Sequence, residues 1–225
     1  MQSPQFPTQN DFGNGDGIAP IPQWQEAAVN MRDHTPPSLN NPDLDPAVGN
    51  ILLCLRKLFH EPRHFDLSST DLHDLVCFVL HRLLSPPRPP TANGFSPASA
   101  FSECIRYALV LYMFIIHGTT YFSHAQLQYS AIVQLRSDLE SSLVSLGPNA
   151  GSLTFWLLSI GMVASEGTSE SYWFRTQCGA AAETFGLSTW EAVQTHLEDI
   201  LWSKTQPTEY QFKQRWEEIW KITPV

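Results

Sequence analysis

Apolar positions return every three or four residues along two stretches in the first half of the chain. This i, i+3, i+4, i+7 spacing places side chains on one face of an α-helix. The pattern therefore predicts two amphipathic helices, whose apolar stripes are Ile51, Leu52, Leu55, Leu58 and Phe59, and then Leu72, Leu75, Val76, Val79, Leu80 and Leu83.

Six further helices are predicted downstream. Residues 98–116 are apolar on most faces, which predicts a central helix, and residues 153–164 are almost continuously apolar, which predicts a buried one. A helix beginning near Ser123 lies between them, and we expect it to be the longest. Shorter, tryptophan-rich helices are expected at the C-terminal end, over 169–185, 188–202 and 208–221. Since few period-two runs of Val, Ile and Thr occur, the predicted fold is all-α, an irregular array of about eight helices in one globular domain.

The first 46 residues have a different composition. They are rich in Pro, Gly, Asn, Gln and Asp, and Arg32 is their only Lys or Arg. Such a composition is typical of a flexible tail, so the predicted organisation is a disordered tail over 1–46 and a helical domain over 47–225. A short helix near Trp24 is an alternative within the tail, with Trp24 and Val29 docking on the domain or on a partner.

Several predicted helices begin or end at capping residues. Ser68 stands three residues before Asp71, which predicts a side-chain cap and an acidic first turn for the second helix. Gly118 predicts the end of the central helix. Residues 188–191 and 208–211 have the Ser/Thr-x-x-Glu/Gln spacing of a capping box, which predicts that two C-terminal helices begin there.

The charge balance excludes some classes of partner. The chain has 13 Lys and Arg against 22 Asp and Glu, a formal net charge of -9. That charge opposes binding to a phosphate backbone, so direct nucleic-acid binding by this chain alone is not expected. The basic residues form no cluster that would recognise anionic lipid. The apolar run 108–116 is shorter than the ~20 residues that span a bilayer, so no membrane contact is expected.

The four cysteines lie far apart, each in an apolar stretch. No CxxC pair is present to hold zinc. We expect buried free thiols of an intracellular protein rather than a disulfide framework, at Cys54, Cys77, Cys104 and Cys178.

The last third of the chain carries an ordered series of aromatic and glycine positions. The series runs through 155–164, 166–168, 172–174, 185–191 and 201–202, and its main members are Trp156, Gly161, Trp173, Phe174, Trp190, Leu201 and Trp202. In this order it resembles the fungal-specific transcription factor domain, the regulatory domain of zinc binuclear cluster transcription factors. Packing selects the same residue types, so we expect Trp156 and Trp190 to anchor the core and Gly161 to allow close helix approach.

The resemblance implies a regulator of transcription in the nucleus. Such a regulator would act through protein or small-effector contacts and not through a DNA-binding cluster of its own. In the family, a basic six-cysteine zinc cluster precedes the domain, whereas here no cysteine precedes Cys54. Either the protein acts without that cluster or the gene model starts downstream of it. The implied partners are another transcription regulator or coregulator and a small-molecule effector, and the implied role is control of a fungal secondary-metabolite gene cluster. The open alternative is an accessory or enzymatic protein of a fungal biosynthetic pathway on a helical scaffold.

Two clusters of polar residues have spacings that could suit a chemical site. His60 and His64 are four apart, as a metal-binding pair on a helix would be, but Pro62 interrupts that helix. The second cluster is explained by a helix N-terminus, where acidic residues are favourable; it comprises Asp71, His73 and Asp74.

Known catalytic motifs are missing from the sequence. There is no Asp-rich magnesium motif, Gly-x-Ser-x-Gly, Gly-rich phosphate loop or Cys-His nucleophile context. The sequence therefore predicts no catalytic residue, no metal site and no cofactor, and cofactor-binding residues stay unassigned. We do not expect an enzyme.

The final predicted helix carries Trp216 and Trp220 four residues apart on one face. One interpretation is a helix docked on the core by its tryptophan face. The other is an aromatic ridge that a partner protein recognises.

Overall fold

The computed structural model describes residues 18–29, 44–60, 67–85, 97–118, 124–143 and 151–222. These residues form helices and no strand, which confirms the all-α prediction. The helices of the described residues are α1 (Pro22–Val29), α2 (Pro46–His60), α3 (Ser69–Leu84), α4 (Pro97–His117), α5 (Ala125–Leu143), α6 (Gly151–Ala164), α7 (Ser171–Phe185), α8 (Trp190–Ile200) and α9 (Gln206–Ile222).

Two helices form the centre of the molecule. α4 packs against α2, α3, α5, α6 and α9, and α6 packs against α4, α5, α7, α8 and α9. The two are apolar on nearly all faces, so each can bury contacts in several directions. The predictions of a central helix over 98–116 and a buried helix over 153–164 are confirmed. The expected order of length was wrong, because α4 has 21 residues and α5 has 19.

α4 also has the length and composition of a membrane-spanning helix over Ala100–His117. This stretch is longer than the apolar run 108–116 on which the prediction of no membrane contact was based. In the fold, 61% of it is buried among other helices. Length and composition alone do not separate the two roles, because the core helix of a soluble protein meets the same criteria.

The caps of α3 and α4 are as predicted. The Ser68 hydroxyl accepts from the Asp71 backbone N–H at 3.1 Å, and an Asp71 carboxylate oxygen accepts from the Ser68 backbone N–H at 3.2 Å. This reciprocal pair is a capping box. α4 ends before Gly118, whose φ of 79° lies in the left-handed region that glycine adopts without strain.

The predicted starts of α8 and α9 were wrong by one or two residues. Thr189, not Ser188, caps α8, because its backbone is extended and its hydroxyl accepts from the Ala192 N–H at 3.3 Å. α9 begins at Gln206 instead of near Thr208. Its first bond runs from the Glu209 N–H to the Thr205 carbonyl, so Pro207 falls in the first turn, where a missing N–H is tolerated.

The short helix considered near Trp24 is α1, which packs against α2. Trp24 is buried, and its ring meets Phe78 of α3 edge to face at 5.1 Å. Val29 instead is 81% exposed. The helical body thus includes residues 18–29, which the sequence analysis had placed in the tail; the rest of the range 1–43 lies outside the described residues.

None of the four cysteines forms a disulfide bond in the fold. Cys54, Cys104 and Cys178 are buried as predicted, and burial raises the pKa of the Cys54 thiol to about 12. The expectation was wrong for Cys77, which is only partly buried. It lies on the side of α3 that carries His73, near the surface.

Candidate functional site

Of the two histidines with metal-pair spacing, the structure describes His60, and His64 lies outside the described residues. His60 Nε2 is 3.1 Å from the carbonyl oxygen of Glu198, at the end of α8. Burial lowers the pKa of His60, and the nearby Arg56 guanidinium lowers it further. Within the described ranges, no group of three or more His, Cys, Asp or Glu residues is arranged to hold a metal ion.

In the second cluster, Asp71 and His73 have different partners. Asp71 is occupied by the capping box of α3, as the sequence analysis proposed. His73 turns toward the end of α4, where its Nδ1 lies 3.0 Å from His117 Nε2. Asp71 and His73 therefore have different partners and do not act as one site.

The residues of the C-terminal series contact one another across the fold. Gly161 of α6 lies directly against the Phe174 ring of α7, so close that a Cβ at 161 would be 2.1 Å from Phe174 Cε1. The indole N–H of Trp156 donates to the Leu201 carbonyl at 2.8 Å, between residues 45 positions apart. These contacts confirm that Gly161 permits close helix approach and that Trp156 is a core anchor.

The segment that follows α8 runs through the core and is held by polar side chains. Leu201, Trp202 and Ser203 are buried. The Tyr112 hydroxyl of α4 accepts from the Ser203 backbone N–H at 2.6 Å. Desolvation raises the pKa of Tyr112, which keeps its hydroxyl protonated. The Trp202 ring meets Trp190 and Phe212 edge to face, at 5.9 and 5.1 Å. Two backbone groups of this segment, the Leu201 carbonyl and the Ser203 N–H, thus have side-chain partners inside the protein.

Arg56 of α2 closes the C-terminal end of α8. Its Nη1 donates to the carbonyl oxygens of Glu198 at 3.1 Å and Ile200 at 2.7 Å, and it also contacts that of Asp199. The last carbonyls of a helix have no partner within the helix and carry partial negative charge. A guanidinium placed there satisfies several of them at once.

Four charged side chains form a closed ring that joins three parts of the C-terminal region. Arg175 of α7 and Arg215 of α9 each bridge the same two carboxylates, Glu166 and Glu218, at N···O distances of 2.7 to 3.2 Å. We call these four residues the charged ring. Glu166 belongs to the turn after α6, so the ring ties this turn to α7 and α9. Its charges cancel within it.

A further arginine is likewise neutralised by glutamates. Arg136 of α5 bonds Glu170 at 2.6 Å and Glu140 at 2.9 Å, and its guanidinium lies over the Trp173 ring, 5.5 Å from the centroid. The hydrogen bond from Arg136 lowers the pKa of Glu170. This cluster fixes the start of α7 on α5.

The tryptophan face of α9 is docked on the core. Trp216 is fully buried and stacks on Phe155 with centroids 5.0 Å apart. Trp220 is partly buried, and its indole N–H donates to the Leu187 carbonyl at 3.1 Å. The core-docking interpretation of this face is therefore the one the fold adopts, and these two rings form no free ridge.

Sequence analysis missed a cluster of Ser152, His196 and Asp199. The Ser152 hydroxyl oxygen lies 3.2 Å from both His196 Nδ1 and Asp199 Oδ2. In a catalytic triad the histidine stands between hydroxyl and carboxylate, whereas here the serine stands between the other two. The hydroxyl donates to the carboxylate and accepts from His196, with tautomers assigned from these contacts. The cluster therefore joins the first turn of α6 to α8 in an order that differs from that of a catalytic triad.

Large side chains remain exposed at a few places. Tyr172 at the start of α7 is 81% exposed, and Tyr210 of α9 is 69% exposed. Tyr129 and Val133, four residues apart on α5, are exposed to a lesser degree. Tyrosine is enriched at protein interfaces because it combines apolar area with a polar tip.

Comparison with known proteins found no matching family model, no matching curated protein and no matching solved structure. The likeness to the fungal regulatory domain therefore rests on the residue series alone.

Proposed function

We propose that this chain is a helical regulatory domain of transcription that acts through contacts with another regulator or coregulator protein, or with a small effector. The observation that carries the proposal is that the residues of the C-terminal series are each other's contact partners. Gly161 meets Phe174, Trp156 bonds the Leu201 carbonyl, and Trp190 packs on Trp202.

Contacts between its members distinguish the C-terminal series from a set of unrelated core residues. Scattered Trp and Gly residues occur in the core of any helical domain. Here the spacing along the chain corresponds to one packing unit of α6, α7, α8 and the segment after α8. The residues that carry the resemblance in order are thus also a set of positions that contact one another in this fold.

The charges favour protein contacts over DNA contacts. Arg136, Arg175 and Arg215 each pair with glutamates, and Arg56 is directed at backbone carbonyls. Guanidinium groups held in this way do not form a basic surface for a phosphate backbone, and the net charge of -9 adds repulsion. A partner protein then supplies the DNA contact.

The exposed tyrosines Tyr172 and Tyr210 are the proposed anchors of such a partner. They lie on α7 and α9, two helices that pack against each other. Neither is needed for the core, since both are mostly exposed. Hot spots of interfaces are enriched in tyrosine for the same combination of area and rigidity.

The proposal is tested by fusing the whole chain to an unrelated DNA-binding domain and measuring transcripts of a reporter that carries its site. We expect reporter transcripts to rise or fall relative to the DNA-binding domain alone, because the fusion supplies the missing DNA reader. We also expect Tyr172→Ala with Tyr210→Ala to reduce that change while leaving helicity intact. A fusion that leaves reporter transcripts unchanged contradicts the proposal.

A further inference from the structure

We propose that Cys77 is a modification site of this protein, a thiol that His73 activates toward soft carbon electrophiles such as α,β-unsaturated carbonyl compounds. This inference stands apart from the proposed function, because it rests on α3 and α4 and on none of the residues of the C-terminal series.

The geometry places a nucleophile, a base and an orienting group in a row. Cys77 Sγ lies 3.6 Å from His73 Nε2, since the two residues are four apart on α3 and share a face. His73 Nδ1 in turn lies 3.0 Å from His117 Nε2, at the end of α4. A base within reach of the nucleophile and oriented through its second nitrogen is the arrangement that activates thiols in proteins.

One set of tautomers satisfies the whole row. With the proton of His117 on its Nδ1, His117 Nε2 accepts from His73 Nδ1–H. His73 Nε2 then accepts from the Cys77 thiol. These tautomers are assigned from the contacts. The other histidine that acts on this group is His124, next to the start of α5, whose charge bears on His117.

Solvent accessibility distinguishes Cys77 from the other cysteines of the chain. His73 is exposed and Cys77 is partly buried, whereas Cys54, Cys104 and Cys178 are buried. Burial among apolar side chains disfavours the thiolate, which is the reactive form. The same molecule thus contains three internal controls for the reactivity of Cys77.

The reaction needs no further reagent. The Cys77 thiol gives its proton to His73 Nε2, and the sulfur lone pair forms a bond to the β-carbon of the electrophile. The carbon–carbon π pair moves toward the carbonyl, and the α-carbon then takes a proton from the His73 imidazolium. A thioether remains, and His73 returns to its neutral form.

N-Ethylmaleimide, an α,β-unsaturated imide, is the probe for the test. The folded full-length protein is labelled at pH 7 with less than one equivalent, and peptide mass spectrometry follows each cysteine with time. We expect Cys77 to react first, and His73→Gln to slow it by roughly tenfold, because the glutamine amide cannot take the proton. His196→Asn, a histidine change on α8, should leave the rate unchanged.

Raising the pH separates the role of His73 as a base from a structural role. At alkaline pH hydroxide takes the thiol proton in place of His73, so the rates of the wild type and His73→Gln should converge. Circular dichroism checks that the variant is folded. The proposal is overturned if Cys77 reacts no faster than the buried thiols, if His73→Gln does not slow it at pH 7, or if the difference persists at high pH.

Discussion

At the scale of single residues, Gly161 has the tightest surroundings of the glycines in the described ranges. The Phe174 ring of α7 occupies the space that a side chain at 161 would need, and even a methyl group would lie 2.1 Å from it. Gly179, in the middle of α7, differs: a Cβ there would have only Ile219 Cγ2 within 4 Å, at 3.9 Å. The two helical glycines form a matched pair.

We expect Gly161→Ala to lower the free energy of unfolding by about 1–3 kcal/mol, because overpacking displaces Phe174 or separates α6 from α7. Gly179→Ala should raise it by up to about 1 kcal/mol, since alanine favours the helix and meets no obstacle. Urea unfolding followed by circular dichroism measures both. Equal stability of the two variants would contradict the close packing of Gly161.

The role of Gly161 could be predicted from sequence, but its neighbour could not. A glycine in an otherwise bulky apolar helix indicates close approach of another element, and nothing in the local sequence identifies Phe174 as that element. The row of Cys77, His73 and His117 escaped prediction for the same reason. Its first two members have helical spacing, whereas the third lies 44 residues away. Tertiary contacts of this kind depend on how helices pack.

At the scale of helices, local signals predicted helix ends well where the capping residue lies next to its own helix in the sequence. The capping box at Ser68 and the glycine after α4 are examples. The start of α9 was misplaced because residues 208–211 have capping spacing inside the helix, and the backbone bond to Thr205 sets the start. The end of α8 carried no local signal, since its cap is Arg56 of α2.

This cap from a distant helix gives a prediction for Arg56. Replacing it with Met keeps the apolar stem but leaves carbonyls at the end of α8 without their donor, so we expect a loss of about 1–3 kcal/mol in unfolding free energy. Arg56→Lys should lose less, because it keeps a charge near the helix end but not the planar fork. Urea midpoints compare the three proteins. An Arg56→Met midpoint equal to that of the wild type would rule out the cap.

At the scale of the whole molecule, the fold class and the central helices followed from apolar patterning. α4 and α6 lack a polar face, so they had to be surrounded. Which helices surround them did not follow, because ridges of apolar side chains fit many partners. The ion pairs of the charged ring could not be predicted for the same reason, because its members come from three separate parts of the chain.

Stability should fall as the pH falls from neutral. Burial lowers the folded-state pKa values of His60 and His117, so the unfolded chain binds more protons as pH drops through about 6.5. Glu170, whose pKa Arg136 lowers, adds a second loss below about pH 4.3. Urea unfolding between pH 7.5 and 5.5 tests the first part. His60→Gln with His117→Gln should flatten the slope, and stability that increases on acidification would refute it.

The central claim is that the folded helical body regulates transcription, and reporter transcripts from the tethered chain test it most directly. The fusion is compared with versions carrying Gly161→Leu, which should break the α6–α7 contact, or Gly179→Ala, with fusion abundance checked by immunoblot. We predict altered transcripts for the wild type and Gly179→Ala, and a return to the level of the DNA-binding domain alone for Gly161→Leu. If none of the fusions changes the reporter transcripts, the claim is contradicted.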